Sequence, residues 1–259
     1  MLTKPPQLAW DTFSAGYTEK VFTPLQFPDV VRRIVAEVRP GRVLDMGCGP
    51  TPYLLRKLAA LSGVTLYASD YSQKMLDAAR RHFREGEVTF VLADHLNLPF
   101  DDAFFDTVIS VNSILPETRD LVGPMFAQAL RVLKPGGRLV ALLPAFETSL
   151  MARDDWKMEI QIDEAGHREF DTTGWQCFYT AEDVAKLIKA HELLRSRPDR
   201  VYFKSDDAIA AIRKIYGGSL SAQVLHKYPL FEHLLVAEKA GQPVLSAGAE
   251  AVRIGSSSW

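Results

Sequence analysis

The chain has 259 residues, 47% hydrophobic and 24% charged, enough to bury the core of one full α/β domain with a modest insertion. Its 30 Lys+Arg against 32 Asp+Glu leave a formal charge of -2 with no block of like charge, so the basic face of a nucleic-acid binder is not expected. Two cysteines, Cys48 and Cys177, are too few for a disulfide framework or a thiolate zinc site; no apolar run reaches membrane-spanning length and the N-terminus does not read as a secretory signal, so a reduced, cytoplasmic setting without membrane partners is expected.

Two helical pieces open the chain, residues 9–20 and 28–38; in the second, Val30, Val31, Ile34, Val35 and Val38 repeat at helical spacing. From Arg42 the pattern alternates. Apolar runs at 42–46, 64–68, 88–92, 105–111 and 138–143 read as strands, and residues 53–61, 73–83 and 121–133 read as helices. Lys134-Pro135-Gly136-Gly137 stops the last of these helices. Five such runs separated by helices predict a mostly parallel sheet covered on both faces.

Past Pro144 the periodicity is lost, and residues 145–179 read as an irregular insertion, polar and aromatic. Thr180 followed by Ala181-Glu182-Asp183 marks a capped helix start, and that helix is expected to run to about Leu194. A strand at 200–204, a helix at 206–216 and a last strand at 231–238 complete the reading, with a mobile tail expected over 241–259. The whole is expected to be one domain over 1–240, a Rossmann-like seven-stranded α/β sheet with a helical lid over 1–40.

The chemistry is concentrated in Val43-Leu44-Asp45-Met46-Gly47-Cys48-Gly49-Pro50-Thr51-Pro52, a strand, a glycine turn and a helix start. Glycines there let the backbone approach a ligand closely, with Thr51 suited to cap the helix and Pro52 to open it. A dinucleotide site wants a third glycine where Pro52 stands, and Asp45 would sit badly beside a pyrophosphate. S-adenosylmethionine carries a sulfonium and an ammonium but no phosphate, so a carboxylate beside the turn favours it. Asp70 ends the next strand, where an acid can hold both ribose hydroxyls; Asp94 follows the third, where it can accept from an adenine amino group.

On these residues the chain resembles a class I S-adenosylmethionine-dependent methyltransferase of the small-molecule type, well over residues 10–143 and loosely beyond. The resemblance implies that Asp45, Gly47 and Gly49 contact the methionine moiety, Asp70 the ribose, and Tyr71, Asp94 and His95 the adenine, with Asn112 at the methionine end; Cys48 reads as a small residue of the tight turn, with only its backbone near the ligand. It also implies that Tyr17 closes over the cofactor, that 133–139 lead into the fifth strand, and that the last strand runs antiparallel. The family often has a third glycine where this chain has Thr51.

Methyl transfer from a sulfonium is an in-line displacement that alignment alone can accelerate, so no catalytic acid or base is assigned. His167 in the insertion is the candidate base if the acceptor must lose a proton, against its reading as a surface histidine. Trp156, Trp175 and Tyr179 either wall an acceptor pocket or staple the insertion to the core. No metal site is expected. A small-molecule acceptor is expected; a protein or nucleic-acid acceptor, a catalytically silent partner subunit and an NAD-dependent oxidoreductase are the alternatives. The absence of an Asn/Asp-Pro-Pro-aromatic segment at 112–115 argues against base or glutamine methylation.

Overall fold

The computed structural model describes residues 10–12, 14, 16–171, 173–217 and 220–241. Residues 1–9 of the expected lid and 242–259 of the expected tail lie outside the described residues.

The expected first helix is interrupted. Residues 10–12 are helical, Gly16 adopts a left-handed φ of 75°, and a short helix α1 (Tyr17–Lys20) restarts after it. Helix α2 (Pro28–Val35) opens on proline, whose fixed φ suits a first turn, and buries Val30, Val31 and Ile34 along one stripe. Strand β1 (Gly41–Met46) then ends in the glycine turn. Helix α3 (Tyr53–Ala59) follows with Pro52 as its cap residue and no side-chain cap bond, so the expected capping by Thr51 does not occur; Thr51 is buried instead. Next come β2 (Val64–Asp70), α4 (Gln73–Arg80), β3 (Thr89–Leu92), β4 (Phe105–Val111) and α5 (Val122–Val132). Strand β5 (Leu133–Pro144) absorbs the Lys-Pro-Gly-Gly turn, which passes as an irregularity in its pairing with β4.

The insertion is ordered rather than irregular. It holds helix α6 (Phe146–Asp154) and a separate antiparallel sheet of β6 (Gln161–Asp163), β7 (Arg168–Asp171) and β8 (Gly174–Cys177). Strands of three and four residues are too short to show a period in sequence. Helix α7 (Ala181–Ala190) ends before Leu194, because β9 (Leu194–Tyr202) begins there and is longer than the 200–204 expected. Helices α8 (Asp206–Tyr216) and α9 (Ala222–Lys227) lead to β10 (Phe231–Glu238); α9 has no counterpart in the sequence reading.

The sheet order is β3-β2-β1-β4-β5-β10-β9, parallel from β3 to β5 and antiparallel on both sides of β10. Alternation along the strands splits the core in two. Val43, Val140, Leu142, Leu234 and Val236 face the side covered by α2, α3, α4, α8 and α9. Leu44, Met46, Leu139, Leu143 and Leu235 face the side covered by α5 and α7. The strand order reverses between β1 and β4, and ligands of open α/β sheets bind at the carboxyl ends beside such a reversal. Because β10 is antiparallel, its first residues stand at that same edge, with Glu232 opposite Pro144.

Candidate active site

The turn after β1 is held by the end of β2. Gly47 and Cys48 donate their amides to the Ser69 carbonyl at 2.7 and 2.9 Å, and Gly49 donates to Asp70 Oδ2 at 2.9 Å. Gly47 has a φ of 79°, and a Cβ there would lie 2.2 Å from the Ser113 side chain, so the turn after β4 can close against it only if the residue is glycine. Ser113 Oγ fixes that closure by donating to the Met46 carbonyl at 2.5 Å. A Cβ on Gly49, by contrast, meets nothing within 4 Å: the turn opens onto free space there.

Asp70 accepts from two amides, Gly49 on Oδ2 and Ser72 on Oδ1, both at 2.9 Å. Each oxygen keeps a second acceptor site, and burial, partly offset by these bonds, raises its pKa. Asp45 is different. It is 2% exposed, its Oδ2 has no hydrogen-bond partner, and burial, then the Asp70 charge, pushes its pKa up to about 7. A desolvated carboxylate oxygen without a partner is costly, and a cationic ligand would offset that cost.

His95 packs against Gly47 and Ser113, with its Nε2 unpartnered and its pKa lowered by burial to about 4, so the ring is neutral at pH 7. Asp94 is exposed and folds back on its own loop, Oδ1 accepting from the Leu96 amide at 2.9 Å. Tyr71 is half-buried beside Asp70, and Cys48 is buried, its thiol pKa raised by burial and then by the Asp70 and Asp45 charges. Asn112 takes a left-handed φ of 47° and donates from Nδ2 to Glu232 Oε1 at 2.7 Å. Tyr17 reaches this edge from α1: burial raises its pKa, and the charges of Asp70, Asp171 and Glu232 add to the rise. The structure thus brings Tyr17, Asp45, Gly47, Cys48, Gly49, Asp70, Tyr71, His95 and Asn112 to one edge of the sheet, with Asp94 on an exposed loop beside it.

Four candidates in the insertion fall elsewhere. Trp156 is 6% exposed in the core and its Nε1 donates to the Tyr228 carbonyl at 3.0 Å. Tyr179 is fully buried and donates to the Ile114 carbonyl at 2.5 Å. Both are staples, not pocket walls, since their polar atoms are already bonded inside the protein. Trp175 packs on Phe170 and under Arg168 on the small sheet. His167 lies with Asp183 and Arg119, its Nδ1 at 2.7 and 3.1 Å from them, in the cap of α7. The sequence reading missed Glu232, Glu169, Asp171 and Tyr216. The visible signal for the first was an acid near the start of the largely apolar run 231–237.

A family model described as "Methyltransferase domain" matches residues 43–137, from β1 through the turn within β5. Residues 43–137 thus carry a methyltransferase domain. Over 111 residues it is 43% identical to a demethylmenaquinone methyltransferase of Clavibacter sepedonicus, which covers 42% of this chain and 43% of that protein. It is 34% identical over 119 residues to a probable tRNA methyltransferase 9B of Homo sapiens, covering 45% of this chain and 24% of that one. The chain thus spans less than half the length of either relative. The PH0226 protein of Pyrococcus horikoshii shares the fold at a TM-score of 0.60, with 18% identity, over 84% of this chain and 94% of its own.

The methyltransferase domain suits its nucleoside on charge. S-adenosylmethionine brings two positive groups and no phosphate, and the orphaned Asp45 oxygen stands beside a glycine turn that leaves room for them. Among the described residues, no group of His, Cys, Asp and Glu is arranged to hold a metal, and no helix is long and apolar enough to cross a membrane.

Proposed function

We propose that the protein transfers the methyl group of S-adenosylmethionine to a small-molecule acceptor. The observation that carries this reading is Asp45, a buried carboxylate at the switch point with an oxygen that nothing in the chain partners. In it, Asp45 and the glycine turn hold the methionine end, Asp70 the ribose, and Asp94, His95 and Tyr71 the adenine, while Tyr17 covers the nucleoside. The donor supplies an already activated methyl group; the chain's residues align it and exclude water. The ordered insertion and the start of β10 form the acceptor side, and the quinone-methylating relative supports a small acceptor.

A second reading, a macromolecular acceptor, is favoured by the tRNA methyltransferase relative, while the near-neutral charge weighs against it. Titration calorimetry with S-adenosylmethionine and S-adenosylhomocysteine tests the donor: binding of both is expected, and no heat from either at high micromolar concentration rejects the proposal. Salt-sensitive retention on immobilised RNA would favour the second reading.

A further inference from the structure

Beside the donor residues, the acceptor edge holds negative charge that the donor does not use. Glu232, the second residue of β10, is 4% exposed; Oε1 accepts from Asn112, and Oε2 has no partner at all. Asn112 Oδ1 is a second buried acceptor left without a donor. Glu169 and Asp171 come from β7 of the insertion, where Ser149 Oγ donates to Glu169 Oε2 at 2.5 Å and Gln176 Nε2 donates to Asp171 Oδ2 at 3.0 Å.

Two tyrosines tie these acids into one cluster. The Tyr216 hydroxyl, at the end of α8, lies in the field of Glu169, Glu232 and Asp171, and that of Tyr17 in the field of Asp70, Asp171 and Glu232. Burial and these charges hold both phenols neutral. Four elements, α1, β7, α8 and β10, therefore converge on the same few carboxylates, one step from Asp70. Burial pushes Glu232 up to about 7, against the lowering effect of its Asn112 bond, and burial raises Glu169, with the charge of the exposed Asp171 adding to the latter. A positive ligand reverses that penalty, and neutral phenols offer it ring faces and oxygen acceptors.

Resting on the donor reading above, we infer that Glu232, Glu169 and Asp171, with Tyr17 and Tyr216, receive the ammonium group of a small organic amine as acceptor. Glu232 Oε2 is the group free to take the proton that a primary or secondary ammonium must shed before its nitrogen has a lone pair to offer. A neutral hydroxyl acceptor could donate to Glu232 Oε2 but would bring no positive charge to offset the burial of its carboxylate.

The test uses the full chain saturated with S-adenosylhomocysteine, titrated with benzylammonium and with benzyl alcohol, its neutral counterpart of similar shape. Benzylammonium is expected to bind about tenfold tighter or better, about 1.4 kcal/mol. Glu232→Gln is expected to abolish most of that preference while leaving the S-adenosylhomocysteine affinity in place; Glu169→Gln is expected to reduce it in part. Equal binding of the two probes, no heat from either, or a preference that survives both substitutions overturns the inference. Failure of S-adenosylhomocysteine to bind the unaltered chain removes the donor reading and this inference with it; intact binding without cation preference removes this inference alone.

Discussion

A carboxylate that waits unpartnered inside a protein announces itself through pH. Asp45, with its pKa pushed up to about 7, and Glu232, likewise at about 7, hold protons in the folded state that the unfolded chain has already released near its ordinary carboxylate pKa. Stability from these two groups is therefore present at acid pH and lost as pH rises from about 4 towards 7. His95, lowered to about 4, has the opposite sign, since the unfolded chain binds its proton first; its contribution grows between about 4 and 6.5 and is then complete. Above pH 6.5 only the carboxylate effect remains, so the melting temperature of the ligand-free protein is expected to fall between pH 6.5 and 8. The sulfonium charge does not titrate, and it meets an ionised Asp45 only as pH passes 7. The increase in melting temperature caused by S-adenosylmethionine is thus expected to grow over the same interval, and a flat increment would detach Asp45 from the donor. Asp70 makes a different prediction, because ribose is common to donor and product. Asp70→Ala is expected to weaken S-adenosylmethionine and S-adenosylhomocysteine alike, by about 1.5–3 kcal/mol, the range for hydrogen bonds to a charged group. Calorimetry showing a loss confined to the sulfonium compound would contradict the ribose assignment.

At the scale of elements, the start of α7 couples the insertion to the frame. Thr180 Oγ1 accepts from the Asp183 amide at 3.1 Å and Asp183 Oδ2 accepts from the Thr180 amide at 2.9 Å, a reciprocal cap that Arg119 and His167 join. Thr180→Ala is expected to cost about 1 kcal/mol of stability, measured as a shift of the denaturation midpoint at unchanged slope; no shift would mean that Arg119 and His167 hold Asp183 without it. This start was legible in the sequence because capping chemistry is local. So were β1, β2 and β4, whose residues are mostly buried or half-buried and read as apolar runs. Strand β9 was legible only at its end: it is a sheet edge, and Arg195, Arg197, Pro198 and Arg200 are the residues that edges carry against aggregation, not a strand signature. The small sheet β6-β7-β8 was illegible for its shortness. The donor-side residues could be proposed from the glycine turn because one contiguous stretch carries them. Glu232, Glu169 and Tyr216 are acceptor-side neighbours only through the fold, and nothing local in β10, β7 or α8 relates them.

Across the whole molecule, the N-terminal segment is built to act on the cleft more than on the core. Among the described residues, the buried apolar side chains begin at Phe22, which packs edge-on against Phe203 at 5.0 Å and anchors the chain there. Ahead of it, Glu19 and Lys20 are exposed, and the contacts of this stretch run to the ligand edge: Asp11 accepts from Ser72 Oγ, beside the amide that serves Asp70, and Tyr17 sits in the field of Asp70, Asp171 and Glu232. The described part of this segment adds little to the two cores but bridges the donor residues to the insertion. Deleting residues 1–20 is therefore expected to leave the melting temperature of the ligand-free protein nearly unchanged, within the few degrees that about 1 kcal/mol represents for a chain of this size. The same deletion is expected to speed release of S-adenosylhomocysteine, because a group that covers a ligand acts chiefly on its dissociation rate. Stopped-flow displacement compares the two chains, and Tyr17→Phe in the full chain separates the hydroxyl from the ring. If the shortened chain unfolds far earlier, the segment belongs to the core; if release is unchanged while stability is kept, Tyr17 does not close over the nucleoside.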